Sequence, residues 1–170
     1  MAPPYAVRRF EIGEAALLRQ IRLLALMDTP EAFGMGYAQD EARSIESWQQ
    51  WLITHPSFGA FVGCEPRGMA SFFRQTAANL VHRGSLVAMY VAPDLRGTGA
   101  AAAIVEAVLA HASTLVEQVH LSVNADNHRA VRFYRRMGFL EYGREPAGLR
   151  HAGIDHDVLL MVRATSPKSG

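Results

Sequence analysis

One cysteine, Cys64, stands in 170 residues. A lone thiol excludes an internal disulfide and fits a reducing compartment. From the usual burial of free cysteine, Cys64 is expected in the core. Net charge is scarce too: 17 Lys and Arg against 16 Asp and Glu leave +1. That balance exerts no bulk pull toward nucleic acid or an anionic membrane. No stretch approaches the roughly 20 apolar residues of a bilayer span. Met1-Ala-Pro-Pro4 lacks the charged and apolar regions of a secretory signal. His151 and His156 miss the i, i+4 pairing of helical metal ligands, and no Cys/His cluster exists, so no metal is expected. These absences point to a cytoplasmic protein with no nucleic-acid or membrane partner.

Apolar residues make up 49% of the chain, enough for the core of one domain over 1–164, with a polar tail at 165–170. Tyr5–Phe10 reads as a first strand. Leu17, Leu18, Ile21, Leu24 and Ala25 recur at helical spacing over Glu14–Met27, and Asp28-Thr29-Pro30 ends that helix. A loop with Gly34 and Gly36 leads to a second helix that puts Trp48, Trp51 and Leu52 on one face. Phe58–Cys64 and Met69–Arg74 form a hairpin turning through Glu65-Pro66-Arg67-Gly68, and Ser85–Val91 is a third antiparallel strand. Helix Ala100–Leu115 follows, then strand Val119–Val123. A helix capped by Asp126 or Asn127 and ended by Gly138 presents Ala130, Phe133, Tyr134 and Met137. Phe139–Tyr142 and Asp157–Val162 complete a mixed, mostly antiparallel sheet flanked by helices, an α/β fold. The strands on either side of Ala100–Leu115 should form a right-handed parallel crossover.

The most informative segment joins strand Ser85–Val91 to helix Ala100–Leu115 through Ala92-Pro-Asp-Leu-Arg96-Gly-Thr-Gly-Ala-Ala101. Backbone N–H groups at a helix start lack intrahelical partners, and the helix dipole favours negative charge there. Gly97, Gly99, Ala100 and Ala101 hold no bulk that would keep a phosphate away, and Arg96 adds a positive charge at the rim. Three ligand classes use such a turn. A Walker loop needs Lys and Ser/Thr after its last glycine, and Ala100-Ala101 stand there instead. A dinucleotide fingerprint can be drawn through Gly97, Gly99 and Ala102, but it normally opens a doubly wound sheet rather than following three antiparallel strands. Coenzyme A is the third class.

Arg96-Gly-Thr-Gly-Ala-Ala101 fits Gln/Arg-x-x-Gly-x-Gly/Ala, and Asn127-His-Arg-Ala-Val-Arg-Phe-Tyr134-Arg-Arg-Met-Gly-Phe139 follows at suitable distance. With this pair of motifs the chain resembles the GNAT superfamily of acyl-CoA-dependent N-acetyltransferases over almost its whole length. Leu23–Gly34 is also similar to a common subgroup of that superfamily. The resemblance implies a splayed parallel strand pair forming an acetyl-CoA cleft. It implies that backbone N–H groups of Arg96, Gly97, Thr98, Gly99, Ala100 and Ala101 hold the pyrophosphate. Met89, Tyr90 and Val91 would pair with pantetheine as an added strand, with an N–H near Val91 facing the thioester oxygen. Asn127 would contact the cofactor and Tyr134 would sit beside the sulfur as general acid. A homodimer is implied by resemblance alone.

The implied chemistry is direct attack by a primary amine, of a small molecule or a peptide, on the thioester in a ternary complex. An alkyl amine has a pKa of about 10.4, so presenting it neutral at pH 7 costs about 4–5 kcal/mol. A positioned base or water chain must take that proton. Members that acetylate protein amines often carry a glutamate on one of the two splayed strands; one such place is twelve residues before the tyrosine, and Ser122 occupies it here. His120 shares a strand face with Ser122, and its residue type suits a base near neutral pH. The alternatives are a His120 paired on the sheet surface, a Tyr134 that is a core aromatic and an Asn127 that is only an N-cap. Glu31 is a candidate for holding a cationic acceptor, and with Phe33 it falls in a loop expected to shape the acceptor site, as does Glu145–Asp155. Two other function classes stay open: a non-catalytic acyl-CoA-binding regulatory domain and a nicotinamide-dinucleotide-binding protein.

Overall fold

In the computed structural model, residues 1–165 are described. Seven strands form one sheet: β1 (Ala6–Arg9), β2 (Ser57–Val62), β3 (Glu65–Arg74), β4 (Arg83–Val91), β5 (Gln118–Asn124), β6 (Leu140–His151) and β7 (Ile154–Ala164). Their order is β1-β2-β3-β4-β5-β7-β6, and only β4 and β5 run parallel. The doubly wound parallel sheet required by the dinucleotide alternative is therefore not what this chain builds.

Among the described residues five α-helices cover the sheet: α1 (Ala15–Asp28), α2 (Tyr37–Glu41), α3 (Ile45–Thr54), α4 (Ala100–Ser113) and α5 (His128–Arg136). On one face, Ile104, Val105 and Val108 of α4 and Val131 and Tyr134 of α5 pack against Phe72, Leu86 and Leu121. On the other, Leu18 and Ile21 of α1 and Trp48 and Leu52 of α3 pack against Phe61, Met69 and Tyr90. Each apolar stripe thus finds a sheet face, and burying one Leu, Ile or Val side chain contributes about 1.5–3 kcal/mol. Thr29 N–H donates to Ala25 O at 2.9 Å, and Pro30 then prevents α1 from continuing.

Several boundaries depart from the sequence expectation. The β2–β3 turn is Gly63-Cys64, not Glu65–Gly68, because Gly63 supplies the positive φ (+60°) that a two-residue hairpin needs. Cys64 at that turn is exposed, so the expectation of a buried thiol is corrected. The loop with Gly34 and Gly36 leads into the short helix α2. Glu145–Asp155, expected as a loop, belongs to a long β6–β7 hairpin closed at Ala152-Gly153, both with positive φ. Pro146 and Gly148 hide the strand pattern there, and the Arg144–Asp157 and Arg150–Asp155 cross-strand ion pairs help to hold the ladder. Thr165, assigned to the tail, bonds back to Glu117 O through its N–H (3.0 Å) and to Val116 O through its hydroxyl (2.6 Å); the rest of the tail, 166–170, lies outside the described residues.

Candidate active site

The parallel pair β4–β5 lasts three residues, Arg83↔Gln118 to Ser85↔His120. Beyond it β4 stays with β3 and β5 stays with β7, so the two strands part and the sheet opens. A bulge in β4 adds to the opening: Met69 pairs with Tyr90, but Ser71 pairs with Val87. Ala88 takes up the extra residue at φ +56°, a left-handed conformation that costs an alanine roughly 1–2 kcal/mol.

The opening is a passage through the sheet. On the α5 side, a recess of about 520 Å³ reaches Tyr134, Asn127 and Ala130. On the α1 side, a wider basin of about 1000 Å³ reaches Arg22, Trp51, Arg83, His120 and Tyr142. Both are walled by Phe33, Val87, Ala88 and Ser122, and both are open to solvent.

At the far end of β4 the chain turns through Gly97 (φ +80°) and Gly99 (φ +90°) into α4. The α4 ladder starts with Ala103 N–H donating to Gly99 O at 3.0 Å, so the amides of Ala100, Ala101 and Ala102 precede it as first-turn donors. A Cβ built on Gly97 would meet nothing within 4 Å. Open space, first-turn amides and the positive helix end are the features an anion site requires.

Residues 19–139 match the Acetyltransferase (GNAT) family. This chain belongs to that family. A mycothiol acetyltransferase of Actinosynnema mirum is 31% identical over 137 residues, covering 79% of this chain and 44% of the relative. A peptidyl-lysine N-acetyltransferase of Salmonella typhimurium is 42% identical over 57 residues, 34% of this chain and 37% of the relative. The chain thus matches less than half the length of either curated relative. A GNAT-family acetyltransferase from Streptococcus pneumoniae shares the fold with a TM-score of 0.84 at 18% identity, covering 94% of this chain and 98% of the other. YncA of Salmonella typhimurium, solved with acetyl-CoA, gives 0.82 at 16% identity over 98% and 96%.

Within this GNAT fold the expected site residues fall into distinct places. Met89 lines the α5-side recess with Val87 and Ala88. The Tyr90 and Val91 side chains lie in the two cores, and Val91 O already accepts from Arg96 Nε at 3.0 Å. Arg96 also ion-pairs with Asp28 at the end of α1. Its charge is therefore matched locally, which leaves the backbone amides at the start of α4 as the donors of this turn. Tyr90 donates to the same Asp28 at 3.1 Å; burial and that acceptor push its phenol up to about 12. Thr98 turns its hydroxyl back to Leu95 O at 2.6 Å. Asn127 caps α5 by accepting from Ala130 N–H at 3.1 Å and also lines the recess.

Tyr134 packs against Phe133 and edge-on to Phe139, with its ring wall toward the recess. Its hydroxyl has no hydrogen-bond partner among the described residues, and burial pushes the phenol well above its ordinary value. It is a neutral O–H donor at physiological pH. His120 and Ser122 lie on the α1 face. Arg83 Nε donates to His120 Nε2 at 3.2 Å, and His120 Nδ1 lies 3.3 Å from the Tyr142 hydroxyl. Burial first, then the charges of Arg83 and His82, lower the His120 pKa. Phe33 lines both sides of the passage. Glu31 is exposed and lends its carbonyl, which accepts from Asn124 Nδ2 at 3.2 Å; its carboxylate is not among the groups lining the passage.

Sequence reasoning missed Asn124 and Arg22. Asn124 is buried, ties β5 to the segment after α1, and accepts from Asp126 N–H at 2.9 Å. A polar residue ending an apolar strand was its signal. Arg22 announces itself only by sitting on the stripe of Leu18, Ile21 and Ala25 that α1 buries.

The same burial that keeps His120 neutral acts on His55 and His111, whose pKa values are also lowered. A histidine with a folded pKa below its unfolded value of about 6.5 contributes stability fully present above that value and lost as pH falls through the folded pKa. The denaturation midpoint is therefore expected to be flat above about pH 7 and to fall as pH drops below about 6.5. His111→Leu should flatten that fall, because His111 Nε2 is buried without a partner between Phe58 and Phe72. Urea titrations from pH 5 to 8 check both.

Proposed function

We propose that this GNAT protein moves the acetyl group of acetyl-CoA to a primary amine by direct attack in a ternary complex. The observation that carries this reading is the passage through the sheet, with a recess on the α5 side, a separate basin on the α1 side, and the glycine turn into α4 at the far end of β4. The residues fit coenzyme A: first-turn amides of α4 for the pyrophosphate, and the backbone of β4 at Met89–Val91, beyond its bulge, for the pantetheine. The bound thioester supplies an activated acetyl group.

The chain's own residues then have three tasks. Tyr134, held neutral by burial, donates its proton at the Oη atom toward the recess where the departing sulfur would lie. A backbone N–H near Val91 would be the donor to the acyl oxygen. His120, the Ser122 hydroxyl and water form the proton route from the amine; His120 serves once its Nε2 is released by Arg83. No side chain has to form a covalent bond to the acyl group.

The test is release of free CoA thiol from acetyl-CoA against a broad amine panel, with the acetylated amine identified by mass. Amine-dependent release is expected. Binding of acetyl-CoA with no amine accelerating thiol release would instead leave a binding domain. Saturation at about 100 times Kd should add about 2.7 kcal/mol of stability with CoA and none with NAD.

A further inference from the structure

We infer that the acceptor is a small amine carrying a carboxylate, and that Arg22 receives that carboxylate. The inference rests on the acetyltransferase reading above and names its substrate class. Arg22 is 7% exposed, yet its side chain forms part of the basin wall. Nε donates to Asp40 Oδ2 at 2.8 Å, and the guanidinium carbon lies 4.6 Å from the centre of the Phe33 ring. Nη1 and Nη2 have no hydrogen-bond partner among the described residues, and neither is sealed from solvent. Four of the five N–H donors of this guanidinium, on a side chain that lines the basin, are therefore without a partner among the described residues.

The charge balance points the same way. Asp40, 1% exposed, is shared with Arg43, whose Nη1 lies 3.4 Å from Oδ1. Two guanidiniums thus meet one carboxylate, leaving an uncompensated positive charge where desolvation is costly. Arg83 adds a second cation to the basin wall, and none of the described residues lining the basin is acidic. A cationic acceptor gains nothing there. A carboxylate matches the planar fork of Arg22 and relieves the excess charge. Phe33, Met35 and Trp51 give the wall an apolar part that suits a hydrocarbon side chain. A carboxylate on Arg22 leaves the adjacent amine to face the passage toward Tyr134. The chemistry is that of an apolar α-amino acid.

Leucine, leucinamide, isoamylamine and a lysine peptide with blocked ends test this as acceptors. The amine of leucinamide is less basic than that of leucine, so without carboxylate recognition the amide would react faster. We expect kcat/KM for leucine to exceed that for leucinamide by at least about tenfold. In Arg22→Gln that ratio should collapse to within about twofold. Should Arg22→Gln fail to fold, Arg22→Lys keeps a cation for Asp40 and loses the fork; an intermediate ratio is then expected. Equal use of leucinamide or the blocked peptide by the wild type, or an unchanged ratio in the variants, overturns the inference. A binding arm separates it from the reading it rests on. Leucine should raise the melting temperature of the CoA-saturated protein and leucinamide should not, whether or not acetyl transfer occurs. No shift with leucine overturns the carboxylate site; a shift without transfer to any amine counts against the acetyltransferase reading alone.

Discussion

Tyr134→Phe is expected to lower kcat by about 100-fold, at the low end of the 10²–10⁴ range for loss of a positioned proton donor. The low end applies because a thiol with a pKa of about 8.5 already leaves tolerably as the thiolate. The substitution removes one oxygen that has no protein partner among the described residues, so fold and acetyl-CoA affinity should hold within about twofold. Steady-state rates with equilibrium titration of CoA check it. A second readout separates acid catalysis from packing. Donors with more acidic leaving thiols should lose less from the variant, since their sulfur needs the proton less. Full activity in Tyr134→Phe would remove the acid role and leave Tyr134 as the core aromatic that its contacts with Phe133 and Phe139 also describe.

Gly99→Val is the second large effect. Gly99 stands at φ +90° as the N-cap of α4, and a Cβ there would lie 3.4 Å from the Tyr5 hydroxyl, which donates to Thr98 O. A β-branched residue in that conformation costs about 1–3 kcal/mol. It also puts two methyl groups at the start of α4, where a pyrophosphate must approach the amides of Ala100 and Ala101. CoA affinity is expected to fall by at least about 100-fold, more than the stability loss alone explains, because charge-assisted bonds to phosphate are the strong ones. Acetylpantetheine lacks the pyrophosphate and isolates the cause. Wild type should prefer acetyl-CoA strongly over acetylpantetheine, and Gly99→Val should erase most of that preference. Equal loss with both donors would mean that α4 had simply moved.

Much of this arrangement was legible in the chain. The glycine turn into α4 reads from Gly97, Gly99 and the alanines because a positive φ and an unobstructed helix start need those residue types. The faces of α1, α3 and α4 read from apolar spacing. The α5 motif placed Asn127 and Tyr134 on one wall of the recess. What did not read out has physical causes. The bulge at Ala88 breaks period two, so strict alternation misassigns the faces of Val87 to Val91. Arg96 looked like a rim cation because nothing local shows that Asp28, distant in sequence, meets it at the end of α1. The β6–β7 hairpin is held partly by charge pairs and by backbone bonds, which hydropathy does not see. Arg22 sits among apolar neighbours, and its use depends on Asp40 and Phe33 arriving from a segment whose path the sequence leaves unspecified.

The parting of β4 and β5 beyond Ser85 and His120 gives the protein two doors on opposite faces of one wall. A donor entering by the α5 side and an acceptor entering by the α1 side do not queue for the same doorway. Neither product has to leave before the other. Such a molecule has no structural reason to impose an order of addition, and initial-rate plots should intersect rather than run parallel. It also gives evolution two separable surfaces: the basin wall can be recut while the glycine turn into α4 stays as it is.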